Sequence, residues 1–124
     1  MGDIVRNHTH STVKATDPPG PGGANHEYRI DNFMPEIEPG EPGYACMTQY
    51  LQFQKGPMQE NLPNGLHNED LLYIVKHRLE SFQDGPFACQ ENQVALDNVM
   101  WAIDALERRT ADRRKRGVEG KSIL

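Results

Sequence analysis

Six basic side chains crowd nine positions near the end of this chain: Arg108, Arg109, Arg113, Arg114, Lys115 and Arg116. Guanidinium groups present a planar fork of N–H donors that suits phosphate, so such a cluster reads as an anion site. It reads equally as a solvated helix end, because bases in a last turn complement the helix dipole. Trp101, two helical turns earlier, is the one tryptophan. It is read first as an interface anchor and second as a plate on which a nucleobase stacks. A third feature is the polar loop from Gln54 through Lys55-Gly56-Pro57 to Asn64-Gly65. Its glycines allow close backbone approach, and its side chains suit a base or ribose edge.

Groups for bond-breaking chemistry are scarce. The chain has no Gly-x-x-x-x-Gly-Lys-Ser/Thr, Gly-x-Gly-x-x-Gly, Gly-x-Ser-x-Gly or His-Glu-x-x-His. His8-Thr9-His10 is read as a polar tail, His77 as part of a solvated face and Cys89 as a small packing residue at a helix start. The expectation is a binding protein with no catalytic residue, metal or cofactor.

The elements that position these residues come from periodicity. Leu71, Leu72, Val75, Leu79 and Phe82 recur at helical spacing after Asn68-Glu69-Asp70, a start signal, and before Asp84-Gly85-Pro86, a stop. A second helix opens near Ala88 to Glu91 and runs towards Arg116, closed by Gly117. Its stripe of Leu96, Val99, Ile103 and Leu106 is accompanied by another of Val94, Ala95, Trp101, Ala102 and Ala105. The first helix can cover only one of the two. A hairpin of this size buries too little to stand alone, so it is expected to pack on another copy of itself.

Upstream, Thr48 to Gln54 reads as a half-buried strand that needs a partner, either Tyr28–Phe33 or the same strand of another subunit. Pro18-Pro19-Gly20-Pro21-Gly22-Gly23 and the stretch from Pro35 through Gly43 give residues 1–45 the composition of a mobile, acidic leader. The resulting expectation is a mainly α, oligomeric fold: an antiparallel helical hairpin with one or two short N-terminal β-strands and a disordered leader. The segments are a leader over 1–45, strand and loop over 46–66, hairpin over 67–117 and a tail over 118–124.

Composition narrows the classes further. Of 124 residues 36% are apolar and the formal charge is −5, with seven of the bases falling between Arg108 and Lys121. That net charge would repel a phosphate backbone at long range, which disfavours long nucleic acid as a partner. No apolar run reaches the roughly 20 residues of a membrane span. Two cysteines without Cys-x-x-Cys spacing, and no apolar signal segment, suit a reducing cytoplasm.

A longer pattern runs through Phe53-Gln54-Lys55-Gly56-Pro57, Asn64-Gly65, Glu69-Asp70-Leu71-Leu72, Phe82-Gln83, Gly85-Pro86-Phe87-Ala88-Cys89 and Glu91-Asn92. It continues into Ala95-Leu96, Trp101, Arg108-Arg109-Thr110, Arg113 and Arg116-Gly117-Val118-Glu119-Gly120. Over about residues 50–120 it resembles small bacteriophage proteins whose C-terminal part is related to the helical hairpin of the anti-CBASS and anti-Thoeris sponges. The resemblance implies a homo-oligomer in the host cytoplasm. It would hold a cyclic oligonucleotide or cyclic ADP-ribose-type immune signal between subunits without cleaving it. Lys55, Arg78, Arg108, Arg109 and Arg113 are then the phosphate candidates, Phe53 and Trp101 the stacking candidates, and Gly56 the point of close approach. Gln90 departs from the pattern, which has an arginine before Glu-Asn. The competing reading is an oligomeric interaction module that docks on and inhibits a host or phage protein.

Overall fold

Residues 3–8, 10–34, 45–121 and 123 are described by the computed structural model. Four strands precede two helices: β1 (Asp3–Asn7), β2 (Ser11–Ala15), β3 (Glu27–Phe33), β4 (Ala45–Gln52), α1 (Asn68–Gln83) and α2 (Gln90–Lys115). The chain divides into two compact units. The first takes in Met1–Gly56 with Pro63–Gly65, and the second Pro57–Leu62 with Leu66–Leu124.

The first unit corrects the expected mainly α fold with a disordered leader. Its strands form one antiparallel sheet in the order β1-β2-β3-β4. Three of those strands lie in the segment whose composition reads as a leader. The reason is local. Pro18 to Gly23 occupy only the β2–β3 connection, where Pro21–Gly23 form a 3₁₀ turn. Ile4, Val5, Thr12 and Val13 before it and Ile30 after it are β-branched and favour extended backbone. Averaged over 45 residues, the turn hides the strands. The second Pro/Gly stretch, from Pro35 through Gly43, lies outside the described residues. The Thr48–Gln54 strand appears as β4, and of its two expected partners it pairs with β3, placing Tyr28 opposite Leu51 and Ile30 opposite Gln49.

Asp17 fastens the connection. Its carboxylate accepts the N–H of His26 at 3.0 Å and of Glu27 at 3.0 Å, so two donors at the start of β3 are satisfied by one side chain. Burial works to raise the Asp17 pKa, but the N–H groups of Glu27, His26 and Asp17 itself, with the charge of Lys55, outweigh it and hold the pKa below the ordinary 3.8. Asp31 is held low in the same way. The Thr48 hydroxyl bonded to it is the main cause, opposed by burial and aided by Arg29. A folded-state pKa below the unfolded one means that the unfolded chain binds protons more readily, so this stabilisation is present above the ordinary carboxylate pKa and is lost as pH falls through the folded value. Thermal melts of the wild type should therefore drop on acidification below about pH 4. In Asp17→Ala the melt should start lower at pH 7 and fall less steeply between pH 7 and pH 3.

The second unit is the antiparallel hairpin. Leu96 and Ile103, seven residues apart on α2, are its buried side chains, at 7% and 6% exposure, with Val99 and Leu106 half-buried beside them. From α1, Leu71, Leu72 and Leu79 are half-buried, whereas Val75 and Phe82 stay exposed. The inward stripe of α1 is thus narrower than the sequence spacing indicates. Tyr73 on α1 donates its hydroxyl to Glu107 on α2, and this bond, followed by burial and the Glu107 charge, raises the Tyr73 pKa. α1 begins one residue earlier than an Asn68 cap would place it: His67 is the N-cap, and its N–H donates to Asp70 Oδ2 at 2.9 Å.

Candidate functional site

The turn between the helices is built by side-chain amides. The Gln83 amide donates to the Cys89 carbonyl and accepts the Cys89 N–H, both at 3.0 Å, engaging both backbone groups of that residue. Cys89 is the N-cap of α2, its Sγ accepting the Asn92 N–H at 3.4 Å, and Asn92 returns a bond from Nδ2 to the Phe87 carbonyl. Phe82-Gln83, Gly85 to Cys89 and Glu91-Asn92 therefore set the geometry of the turn. Gln83 and Asn92 are structural residues that periodicity does not single out. Their signals in the sequence are the polar amide on each side of the Gly-Pro stop and their place in the pattern shared with the phage proteins.

The outer face of α2 brings together an exposed aromatic and basic side chains. Val94, Trp101 and Arg108 are seven residues apart, and so are Ala95, Ala102 and Arg109, which puts each trio along one side of the helix. Trp101 is 69% exposed, and Val94, Ala102 and Ala105 are exposed around it. Seven residues rise about 10 Å along a helix, a distance that a long arginine side chain can shorten. The indole and the Arg108 and Arg109 guanidinium groups thus share one open surface.

The six bases separate into different roles. Arg113 donates to the carbonyls of Val118 at 3.0 Å and Lys121 at 2.9 Å, so it holds the C-terminal tail. That tail leaves α2 through Gly117 at φ +74°, with the Val118 N–H reaching the Arg113 carbonyl and the Gly117 N–H the Arg114 carbonyl, a left-handed helix stop that disfavours a side chain at 117. Arg114 grips Glu119 with two bonds, at 2.7 and 3.2 Å. That hydrogen bond is the chief cause of the lowered Glu119 pKa and the raised Arg114 pKa. Arg116 pairs with Asp112 at 2.9 Å and Arg108 with Asp104 at 3.3 Å, both one turn back and exposed. Such pairs hold a guanidinium weakly. Arg109 and Lys115 have no hydrogen-bond or ion-pair partner among the described residues. Arg78, on α1, lies over the Phe82 ring at 5.6 Å and is likewise outside any ion pair among the described residues.

Phe53, Lys55 and Gly56 belong to the sheet unit. The Phe53 ring meets Tyr28 edge to face at 5.6 Å, so it is engaged in packing. The Lys55 ammonium is 3.3 Å from Glu27, and Gly56 takes φ +81°. Asn64 clasps this segment: its side chain accepts the Lys55 N–H at 2.7 Å and donates to the Lys55 carbonyl at 3.0 Å. Gly65 follows because a Cβ there would stand 2.5 Å from the Phe53 carbonyl carbon. Asn64-Gly65, the end of the polar loop, is a backbone clasp in the structure. Asn64→Ala should cost about 1 kcal/mol and speed hydrogen exchange at the Lys55 amide, measured by deuterium uptake.

Among the described residues no three His, Cys, Asp or Glu side chains converge as a metal site. No helix among them is long and apolar enough to cross a membrane.

Comparison with known proteins places these features. A 77-residue stretch, 62% of this chain, is 46% identical to "Thoeris anti-defense 1" of Bacillus phage SBSphiJ7. The match takes in 54% of that relative, so the chain spans about half the length of the protein it resembles. The family model described as "Acb2/Tad1, hairpin domain" matches residues 49–111, including Trp101, Arg108 and Arg109 but ending before Arg113. That segment is more than half of the chain and contains α1, the amide-built turn and most of α2; the chain belongs to the Acb2/Tad1 hairpin family.

Proposed function

We infer that this chain is a phage anti-defence protein that acts as a sponge. It sequesters a cyclic oligonucleotide or cyclic ADP-ribose-type signal in pockets between its own subunits, in the host cytoplasm and without cleaving it. The observation that carries this reading is the outer face of α2, where an exposed indole and two arginines lie within the segment matched by the family. The name of the phage relative supports the anti-defence part.

The chemistry follows from those groups. A single helix face is too flat to desolvate a nucleotide, whereas a second subunit laid along the Val94–Trp101 surface would close a cleft around it. Within that cleft the Arg109 guanidinium, free of internal partners, donates to phosphate oxygens, and Arg108 exchanges its weak Asp104 pair for the same role. Trp101 supplies apolar area and a face for the base. Sequestration needs no proton transfer and no nucleophile.

The test is retention followed by recovery. Purified protein is incubated with a panel of cyclic di- and trinucleotides and cyclic ADP-ribose isomers, separated by ultrafiltration, heated, and the released nucleotide identified by mass spectrometry. One member retained and released intact supports the sponge. A cleaved product makes the protein an enzyme, and no retention across the panel moves the hairpin to protein docking.

A further inference from the structure

The two edges of the sheet are not alike. β1 carries Asp3 and Arg6, and its register shifts between Ile4 and Arg6, devices that discourage another strand from adding. β4 has the sequence Ala-Cys-Met-Thr-Gln-Tyr-Leu-Gln, eight residues without a charge or a proline. Met47 and Tyr50 are 56% and 76% exposed on it, and among the described residues nothing pairs with its outer side from Met47 to Leu51.

The free backbone groups of β4 alternate in direction. The Phe53 N–H donates to the His26 carbonyl. In the alternating antiparallel ladder, Leu51, Gln49 and Met47 then turn their backbone groups towards β3, while Thr48 and Tyr50 turn theirs outward. The outward side is closed at Gln52, whose amide donates to the Asn64 carbonyl at 2.7 Å and whose own carbonyl lies against Gly65. A strand added here has room only from Met47 to Leu51.

We propose that this edge pairs antiparallel with the same edge of a second copy, about a two-fold axis at Gln49. The register is the one that the closed end permits, applied twice. Thr48 of one copy and Tyr50 of the other exchange N–H···O=C bonds, and Met47 stands opposite Leu51. The pairing is self-complementary. It sets an aromatic beside a β-branched side chain, continues the apolar row of Met47 and Leu51 across both sheets, and opposes no like charges. A charged strand would find nothing on β4 to answer it, which favours the second copy as occupant. The inference stands whether or not the hairpins hold a nucleotide.

Gln49 is exposed at the axis, so substitutions there leave the β3–β4 ladder intact. Gln49→Lys should lower the mass of the full chain by light scattering, because it opposes two ammonium groups, and an equimolar mixture with Gln49→Glu should restore it. In a Cys46→Ser, Cys89→Ser background, Gln49→Cys should give a two-chain band under mild oxidation, since opposed residues at such an axis lie about 4.5 Å apart, within disulfide range. Unchanged circular dichroism confirms folding of each variant. A Gln49→Lys mass equal to that of the wild type, or a Gln49→Cys chain that stays single, overturns the proposal.

Discussion

Arg109→Ala is expected to weaken retention of the nucleotide by about ten- to a hundredfold while the mass of the assembly stays unchanged. Arg109 is the arginine of the cluster, among the described residues, that has no internal hydrogen bond or ion pair, so its removal disturbs no fold contact of that kind. Arg113→Ala makes the contrast. It strips the bonds to Val118 and Lys121 and should lower the melting temperature, with a smaller effect on affinity. The two outcomes are read by competition binding and differential scanning calorimetry on the same preparations. If Arg109→Ala binds like the wild type, phosphate recognition does not lie on this face of α2.

The second large effect is on stability. Ile103→Ala should cost about 2–5 kcal/mol, measured by urea denaturation, because the hairpin has little other buried apolar surface to share the loss. Leu96→Ala, one heptad earlier, should fall in the same range. Trp101→Ala removes an exposed side chain and should leave urea stability within about 1 kcal/mol at protein concentrations too low for assembly. A stability loss in Trp101→Ala matching that of Ile103→Ala would mean that the indole is part of the core and unavailable to a ligand or subunit.

The helices were legible because their information is periodic and local. Leu96, Val99, Ile103 and Leu106 announce the inward face of α2, Trp101 and its alanines the outward one, and Gly117 the end. What is not periodic was harder to read. Val75 and Phe82 obey the α1 spacing yet remain exposed, because the width of a buried stripe depends on the facing helix. β1 and β2 are short strands beside a Pro/Gly turn, and composition taken over the whole segment dilutes them. Within the basic cluster, sequence shows six equivalent cations. Which are engaged depends on a tail that folds back through Gly117 to meet Arg113 and Arg114, a tertiary matter that no spacing encodes. Lys55 and Gly56 were found as a loop, whereas the Asn64 clasp that fixes them is a contact between residues nine apart.

Whether the outer face of α2 holds a nucleotide shared between subunits is read from how binding depends on assembly. Titration calorimetry of the purified chain with the nucleotide that it retains should show binding at a protein concentration where light scattering shows a single assembly, and loss of that binding on dilution to single chains. Undiminished binding by a single-chain species, or flat titrations across the whole panel, would rule out a pocket shared between subunits.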